Sequence, residues 1–586
     1  MRRRRVAGAL ALALGSAACG GGQTRGTAFD EAWNDEDGTV LSGFQKTNGP
    51  LTVPEGVDVA VGIVAGRTIL GAPLDGSPRW RFVHALDGRP AVAGTVVVGK
   101  GAGELFALDA RTGRPLWRRA AGGLLRGAGD DGKTTVVSLM STTGTGSVVL
   151  AVARDGHVIR QIEDDAAIGV PAVSDGFAFL PWHERFVTVY DLGSGEETAR
   201  ITLAHPTSRA FALGGAFFFG EEAVTRFDER IGFAPRGSAS TVTVNGARLP
   251  LAPRWLGSGN EALPTRATSA DEVRLYARPN VRGAMGLDGG RVALAFHRLV
   301  AGLAAESGRV AWVHVSEEEI LGGAAYEGGF ALCGAKGTVT FLDGATGAPA
   351  GEVSLGKPVD ACLVQADRLR KKAIGSPPAL PDSLTRALAL PSPELAPMQA
   401  YLLGTAGELA DDAMTDLLIE IAGGQRGSSL LVEEARRVLA ARRTGAARMI
   451  AALNQPYDFL QGVLKSPPVG PLADALLAMN ERQVAPVLAR YLDDPACSAD
   501  DVERAAAAVA ELAGPAEVPA LLSFFARYRG YDEEGEHLSR AVVHVARALV
   551  RLGQGAVVER AASDPFTRPA LKDALAALAR PAPDAR

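Results

Sequence analysis

A closed ring of small antiparallel sheets, a β-propeller, followed by a solenoid of helical hairpins is the fold class this sequence predicts. Three observations predict it. From about residue 50 to 365, short β-rich runs alternate with glycine turns at a recurring spacing. From about residue 396 to 580, apolar residues recur at three and four instead. Between the two lies "RLRKKAIGSPPALPDS", basic and then proline-rich, where one pattern gives way to the other. At 586 residues the chain is too long for one compact core, in keeping with several units. The expected divisions are a leader over 1–18, a flexible tether over 19–48, the sheet region over 49–366, a proline-rich linker over 367–395 and the helical region over 396–580.

The leader comes first. "MRRRR" gives a positive start and "VAGALALALGSAA" an apolar run too short to span a bilayer comfortably. It ends in "SAACGGG", which resembles the bacterial lipobox although Ser16 stands where leucine is usual. The resemblance implies that Cys19 receives diacylglycerol and becomes the new N-terminus, with a glycine tether behind it. Gly20 then gives no signal for inner-membrane retention, so the chain is expected on the outer membrane, facing the periplasm or the surface. A soluble secreted form is the alternative.

In the sheet region an aspartate is followed four residues later by glycine at Asp109/Gly113, Asp191/Gly195, Asp228/Gly232 and Asp343/Gly347. Looser turns end at Gly76, Gly156 and Gly308. Successive turn glycines are mostly 37 to 43 residues apart, the signature of a propeller with several strands per blade. The chemistry suits a turn, because aspartate accepts from amides two or three residues on and glycine tolerates positive φ. Trp80, Trp117 and Trp312 each stand four residues after a turn glycine, where a large ring would wedge between blades.

"ALDARTGRPLW", from Ala107 to Trp117 and including Thr112, resembles the whole repeat of PQQ-type (quinoprotein) propellers. Counting turns gives eight blades, with an irregular one around "ASTVTVNGARLPLAPRWLG" and "DEVRLYARP"; seven blades and a long insertion is the alternative. In the helical region Val502, Ala505, Ala506, Val509 and Leu512 share one helical face. Gly514-Pro515 breaks the chain, and Val518, Leu521, Leu522 and Phe525 form the next face. The break returns 39 residues later at Gly553, so these pairs resemble HEAT repeats, each burying its apolar face on its neighbours.

The function classes narrow accordingly. A net charge of −5 argues against a general nucleic-acid binder. With Cys19 set aside, Cys333, Cys362 and Cys497 allow at most one disulfide, and Cys333 with Cys362 is a candidate pair. No CxxC spacing supports zinc. Resemblance to quinoprotein dehydrogenases would require calcium ligands, an aspartate base and often a vicinal cysteine pair, none of which forms a recognisable motif here. "PWHERF" at Trp182, His183 and Glu184 reads as a hairpin tip, and "SEEEIL" at Glu317 to Glu319 as a solvated loop. "NDEDGTVLSG" lacks the alternation of a calcium loop. "GAGDDGKTT" is followed by a strand pattern, so it is no phosphate loop, and His537 and His544 stand too far apart on their helix to hold one zinc alone.

No catalytic, cofactor or metal residues are therefore expected, and no small-molecule substrate. The anchor and propeller resemble the propeller lipoproteins of the outer-membrane β-barrel assembly machinery, which implies a scaffold or adaptor for envelope proteins. A periplasmic PQQ-dependent oxidoreductase is the alternative.

Overall fold

The structure is a computed structural model. It describes residues 52 and 55–579 apart from 143, 185, 203–206, 214–215, 220–223, 227–231, 234–240, 245–246, 251–273, 277–290, 305–308, 456–466 and 532–535. Cys19 with its leader and tether, the acidic stretch at 34–43, Asp228 and Gly308 lie outside the described residues.

Antiparallel four-stranded sheets fill the first half. The first contains β1 (Val59–Val64), β2 (Thr68–Pro73) and β3 (Trp80–Val83). The second has β4 (Ala91–Ala93), β5 (Val96–Gly101), β6 (Glu104–Asp109) and β7 (Pro115–Ala120). The third has β8 (Leu124–Asp130), β9 (Thr134–Met140), β10 (Ser147–Ala153) and β11 (Val158–Asp164). The fourth has β12 (Ala172–Ser174), β13 (Phe177–Trp182), β14 (Phe186–Asp191) and β15 (Glu197–Thr202). The fifth has β16 (Ala210–Leu213), β17 (Ala216–Phe219), β18 (Val224–Arg226) and β19 (Gly232–Phe233). A two-stranded ribbon, β20 (Thr241–Val244) with β21 (Ala247–Pro250), follows. The next sheet has β22 (Arg274–Tyr276), β23 (Arg291–Phe296), β24 (Leu299–Ala304) and β25 (Val310–Val315). The last has β26 (Ile320–Tyr326), β27 (Gly329–Gly334), β28 (Thr338–Asp343) and β29 (Pro349–Ser354). Finally β30 (Ala361–Gln365) returns to the first sheet and pairs with β1, Val61 opposite Leu363.

The innermost strands touch in the order β30, β4, β8, β12, β16 on one side, and β22, β26, β30 on the other. The inner strands β4, β8 and β12 carry alanine, valine or glycine, small side chains that let adjacent sheets approach near the centre. Third and fourth strands slip register by one residue in five sheets, between Ala107/Leu108, Ala151/Val152, Val189/Tyr190, Gly302/Leu303 and Phe341/Leu342. Such a bulge strengthens the local twist.

Helices fill the second half: α1 (Leu380–Leu388), α2 (Ala396–Glu408), α3 (Asp412–Ala422), α4 (Ser429–Ala441), α5 (Ala446–Asn454) and α6 (Val469–Ala478). They continue as α7 (Ala485–Tyr491), α8 (Ala499–Leu512), α9 (Val518–Tyr528), α10 (His537–Arg551), α11 (Gly555–Ser563) and α12 (Pro569–Ala579). Even-numbered helices from α2 to α12 each contact the next, forming one layer; α3, α5, α7 and α9 form the other. On α8 the expected face of Val502, Ala505, Ala506, Val509 and Leu512 is buried. On α9 Leu521 and Phe525 are buried with Phe524, while Val518 and Leu522 sit at the margin.

The stretch read as a linker behaves differently. Leu369 is buried, the amides of Asp367 and Arg368 donate to Asp58 Oδ1 at 2.6 and 3.0 Å, and the amide of Ile374 donates to the Pro349 carbonyl at 2.8 Å. Then α1 buries Leu384, Ala387 and Leu388 against β25. Prolines that suggested an open linker instead start a short helix, Pro381 occupying its first turn. One apolar core accordingly runs from Leu294, Leu303 and Val313 through α1 into the helices.

Candidate functional site

Sequence reading singled out the Asp–Gly turns and the tryptophans, and the structure brings them together at the joints between sheets. Asp109 Oδ1 accepts from the amides of Arg111 and Thr112 at 3.2 and 2.9 Å and from Thr112 Oγ1 at 2.9 Å. The Gly113 amide donates to the Asp109 carbonyl at 2.8 Å, with φ of +70° at Gly113. Asp343 repeats this: Thr346 donates its amide at 2.9 Å and its hydroxyl at 2.6 Å, and Gly347 also has φ of +70°. Asp191 holds the amides of Gly193 and Ser194 at 2.7 and 3.3 Å, and Gly195 closes the turn onto the Asp191 carbonyl at 2.8 Å. Gly232, by contrast, opens β19 opposite Thr225.

Each of these turns is roofed by a side chain from the preceding sheet. Trp80 lies on Gly113 and donates Nε1 to the Ala110 carbonyl at 3.0 Å. Trp312 lies on Gly347 and donates to the Gly344 carbonyl, also at 3.0 Å. At the Asp191 turn the same place is taken by Arg160, whose Nε donates to the Leu192 carbonyl at 3.0 Å. In the sequence Arg160 stands four residues after Gly156, the position that tryptophan fills elsewhere. A guanidinium is planar like an indole and brings its own N–H, so it serves the same carbonyl. Trp117 covers Gly156, but its buried Nε1 has no hydrogen-bond partner among the described residues. The turn beneath is tighter there, Gly156 bonding to Ala153, and offers no matching carbonyl.

A polar chain that sequence reading missed ties the second and third sheets together. Asp130, only 4% exposed, accepts from the Thr95 amide and hydroxyl at 3.0 and 2.7 Å and from Thr135 Oγ1 at 2.8 Å. Arg154 donates to Thr95 Oγ1 at 2.8 Å and to Asp109 Oδ2 at 3.1 Å. Burial pushes the Asp130 carboxyl up, while the Thr95 and Thr135 hydrogen bonds pull the other way. "GAGDDG" carried the signal for this, since an aspartate at a strand end before a glycine turn has local amides to accept from.

The inner strands line a partly open cavity of about 90 Å³, bordered by Gly56, Gly94, Ala128, Asp130, Ala172 and Gln365 among others. Gln365 Nε2 donates to the carbonyls of Val57 and Gly94, each at 2.8 Å, stitching the first two sheets at its rim. A tricyclic quinone with three carboxylates needs several hundred Å³ and cationic partners. The described lining offers neither that space nor an arginine or lysine, and the Asp130 oxygens already accept hydrogen bonds. The described residues of this lining do not fit PQQ. Among the described residues no cluster of histidine, cysteine and carboxylates suits a metal ion, and no helix is long and apolar enough to cross a membrane.

The remaining motifs resolve into structural roles. His183 and Glu184 form the β13–β14 tip at φ of 52° and 55°, and Trp182 packs on Tyr190. Of the acidic run at 317–319, Glu319 is engaged rather than merely solvated, meeting His297 Nδ1 at 2.8 Å. His537 Nδ1 meets Glu503 at 2.6 Å. Cys333 and Cys362 form a disulfide joining β27 to β30, with Cα atoms 6.3 Å apart, and Cys497 is free.

Sheets joined through Asp–Gly turns and roofing tryptophans define a PQQ-like β-propeller, to which a helical region is attached. Residues 66–224 match a protein-family model described as "Outer membrane protein assembly factor BamB". Among solved structures, BamB from Moraxella catarrhalis is 15% identical over 55% of this chain and 91% of its own, with a TM-score of 0.29. Dihydro-heme d1 dehydrogenase NirN is 13% identical over 53% of this chain and 75% of its own, at 0.35. Quinohemoprotein alcohol dehydrogenase from Comamonas testosteroni is 11% identical over 53% and 68%, at 0.28. No curated protein matches the chain.

Proposed function

We propose that the chain is a non-enzymatic scaffold of the bacterial cell envelope. In this reading it is an eight-bladed propeller, the β20–β21 ribbon belonging to the irregular blade, followed by a HEAT-like solenoid. Lipid on Cys19 ties it to the outer membrane, and its propeller loops and solenoid groove hold envelope proteins. The observation that carries the reading is the match of residues 66–224 to the outer-membrane assembly factor family. Exposed hairpin tips such as His183 and Glu184 are the kind of surface such a role would use. The shared core through α1 supports it too, since a scaffold needs its two platforms fixed relative to each other.

The test is crosslinked co-purification of the anchored chain from native envelopes, with alanine at the exposed loop residues His183 and Glu184 and, separately, at Arg540 and Arg547 of α10. Each set is expected to deplete at least one envelope protein several-fold. An unchanged set of co-purifying proteins in both would contradict the reading.

A further inference from the structure

The outer strands of the first two sheets carry a surface that the joints do not use. β3 and its lead-in read Arg79-Trp80-Arg81-Phe82-Val83, and β7 with its lead-in reads Arg114-Pro115-Leu116-Trp117-Arg118. The pleat turns each tryptophan inward and leaves Arg79, Arg81, Arg114 and Arg118 exposed. The two strands meet at both ends. Arg111 pairs with Asp75 at one, and Arg118 lies 5.3 Å from the Phe82 ring centre at the other. Arg67, also exposed, adjoins them through its carbonyl, which accepts from the His84 amide at 2.8 Å.

Charge on this strip is not balanced locally. Asp75 serves Arg111, and Glu104 is shared between His84 at 3.1 Å and Arg118 at 3.9 Å. Arg67, Arg79, Arg81 and Arg114 have no carboxylate within 4.0 Å among the described residues, on a chain whose net charge is −5. On the face of β3 that Arg79 and Arg81 share, Val83 stands 60% exposed. Guanidiniums without carboxylate partners, of which Arg79 donates only to the Ser354 carbonyl at 3.4 Å, together with an exposed apolar side chain suit a surface that is anionic outside and apolar just beneath.

We propose that this strip seats the propeller on the anionic phospholipid surface of the membrane. Its phosphates would meet the guanidiniums, with Val83 entering the headgroup layer. The cellular setting rests on the lipid-anchored reading above. The 32 residues between Cys19 and Thr52 can span at most about 110 Å, so a tether holds the body near the leaflet and the strip decides which edge lies down.

The experiment uses the full chain carrying Cys19→Ser, so that its outcome does not depend on lipidation. Co-sedimentation with vesicles of phosphatidylglycerol and phosphatidylethanolamine is compared with vesicles of phosphatidylcholine alone. Binding is expected only to the anionic vesicles, to fall as salt rises, and to drop at least tenfold in the Arg67→Glu, Arg81→Glu, Arg114→Glu variant. A Val83→Ser variant and an Arg81→Gln, Arg114→Gln pair, which leave the strands uncharged rather than reversed, should lose several-fold while keeping the circular dichroism of the parent. Equal binding by parent and reversed chains would overturn the proposal. So would salt-sensitive self-association without vesicles that the reversals abolish, which would assign the strip to a second copy. Failure of labelled lipid to attach at Cys19 in cells would remove the anchor and leave the vesicle result standing.

Discussion

At the scale of single residues, the joints separate the part of a tryptophan that packs from the part that donates. Trp80 and Trp312 do both, whereas Trp117 packs with its N–H unmet. Trp80→Phe and Trp312→Phe are therefore expected to cost about 1 kcal/mol more than Trp117→Phe in equilibrium chemical denaturation. The glycines under the rings set a second expectation. A Cβ at Gly302 would lie 2.0 Å from the Trp312 ring, so Gly302→Ala should cost roughly 2 kcal/mol or more, measured the same way. The aspartates, glycines and tryptophans were legible in the sequence because each has a distinctive local job. Arg160 was not, since an arginine at the tryptophan position carries no signal until the Leu192 carbonyl is seen beneath it.

At the scale of elements, the contact between β25 and α1 holds His314. Burial, and secondarily the charge of Arg386, lower this histidine from 6.5 to about 4. The fold thus favours its neutral form. Its stabilising contribution is complete above about pH 6.5 and is lost as pH falls from there toward 4. Denaturation midpoints should fall across that window, and His314→Gln should remove up to about 2 kcal/mol of the dependence, less than the full shift implies because the ring is only partly buried. Among the helices, Arg442 is 2% exposed and donates to the carbonyls of Ala406, Gly407, Leu409 and Asp411 and to Thr415 Oγ1. Arg442→Met should cost roughly 3 kcal/mol by leaving those carbonyls buried without a donor, as read by thermal unfolding. Helical faces on α8 and α9 were readable from the three-and-four spacing, but α1 was hidden by the prolines beside it. Arg442 gave no signal either, because a charged residue at the end of a helical pattern reads as surface until the α2–α3 turn folds over it.

At the scale of the whole molecule, two features unify the chain: β30 completing the first sheet, and the core that α1 shares with β25. The period of the turns made the succession of small antiparallel sheets legible in advance, but not the blade count around 241–290, where the spacing doubles and the motif residues are missing. The platform reading depends on a ring whose last strand is locked home, and the disulfide does the locking, its two half-cystines fully buried on neighbouring sheets. Closing a loop of 29 residues, it should contribute about 3 kcal/mol, so that reduction or Cys362→Ser lowers the midpoint of unfolding. The most direct measurement is non-reducing peptide mapping by mass spectrometry of the chain purified from envelopes. One linked pair, Cys333 with Cys362, is expected, with Cys497 open to alkylation. Free Cys333 and Cys362, or either of them joined to Cys497, would contradict it.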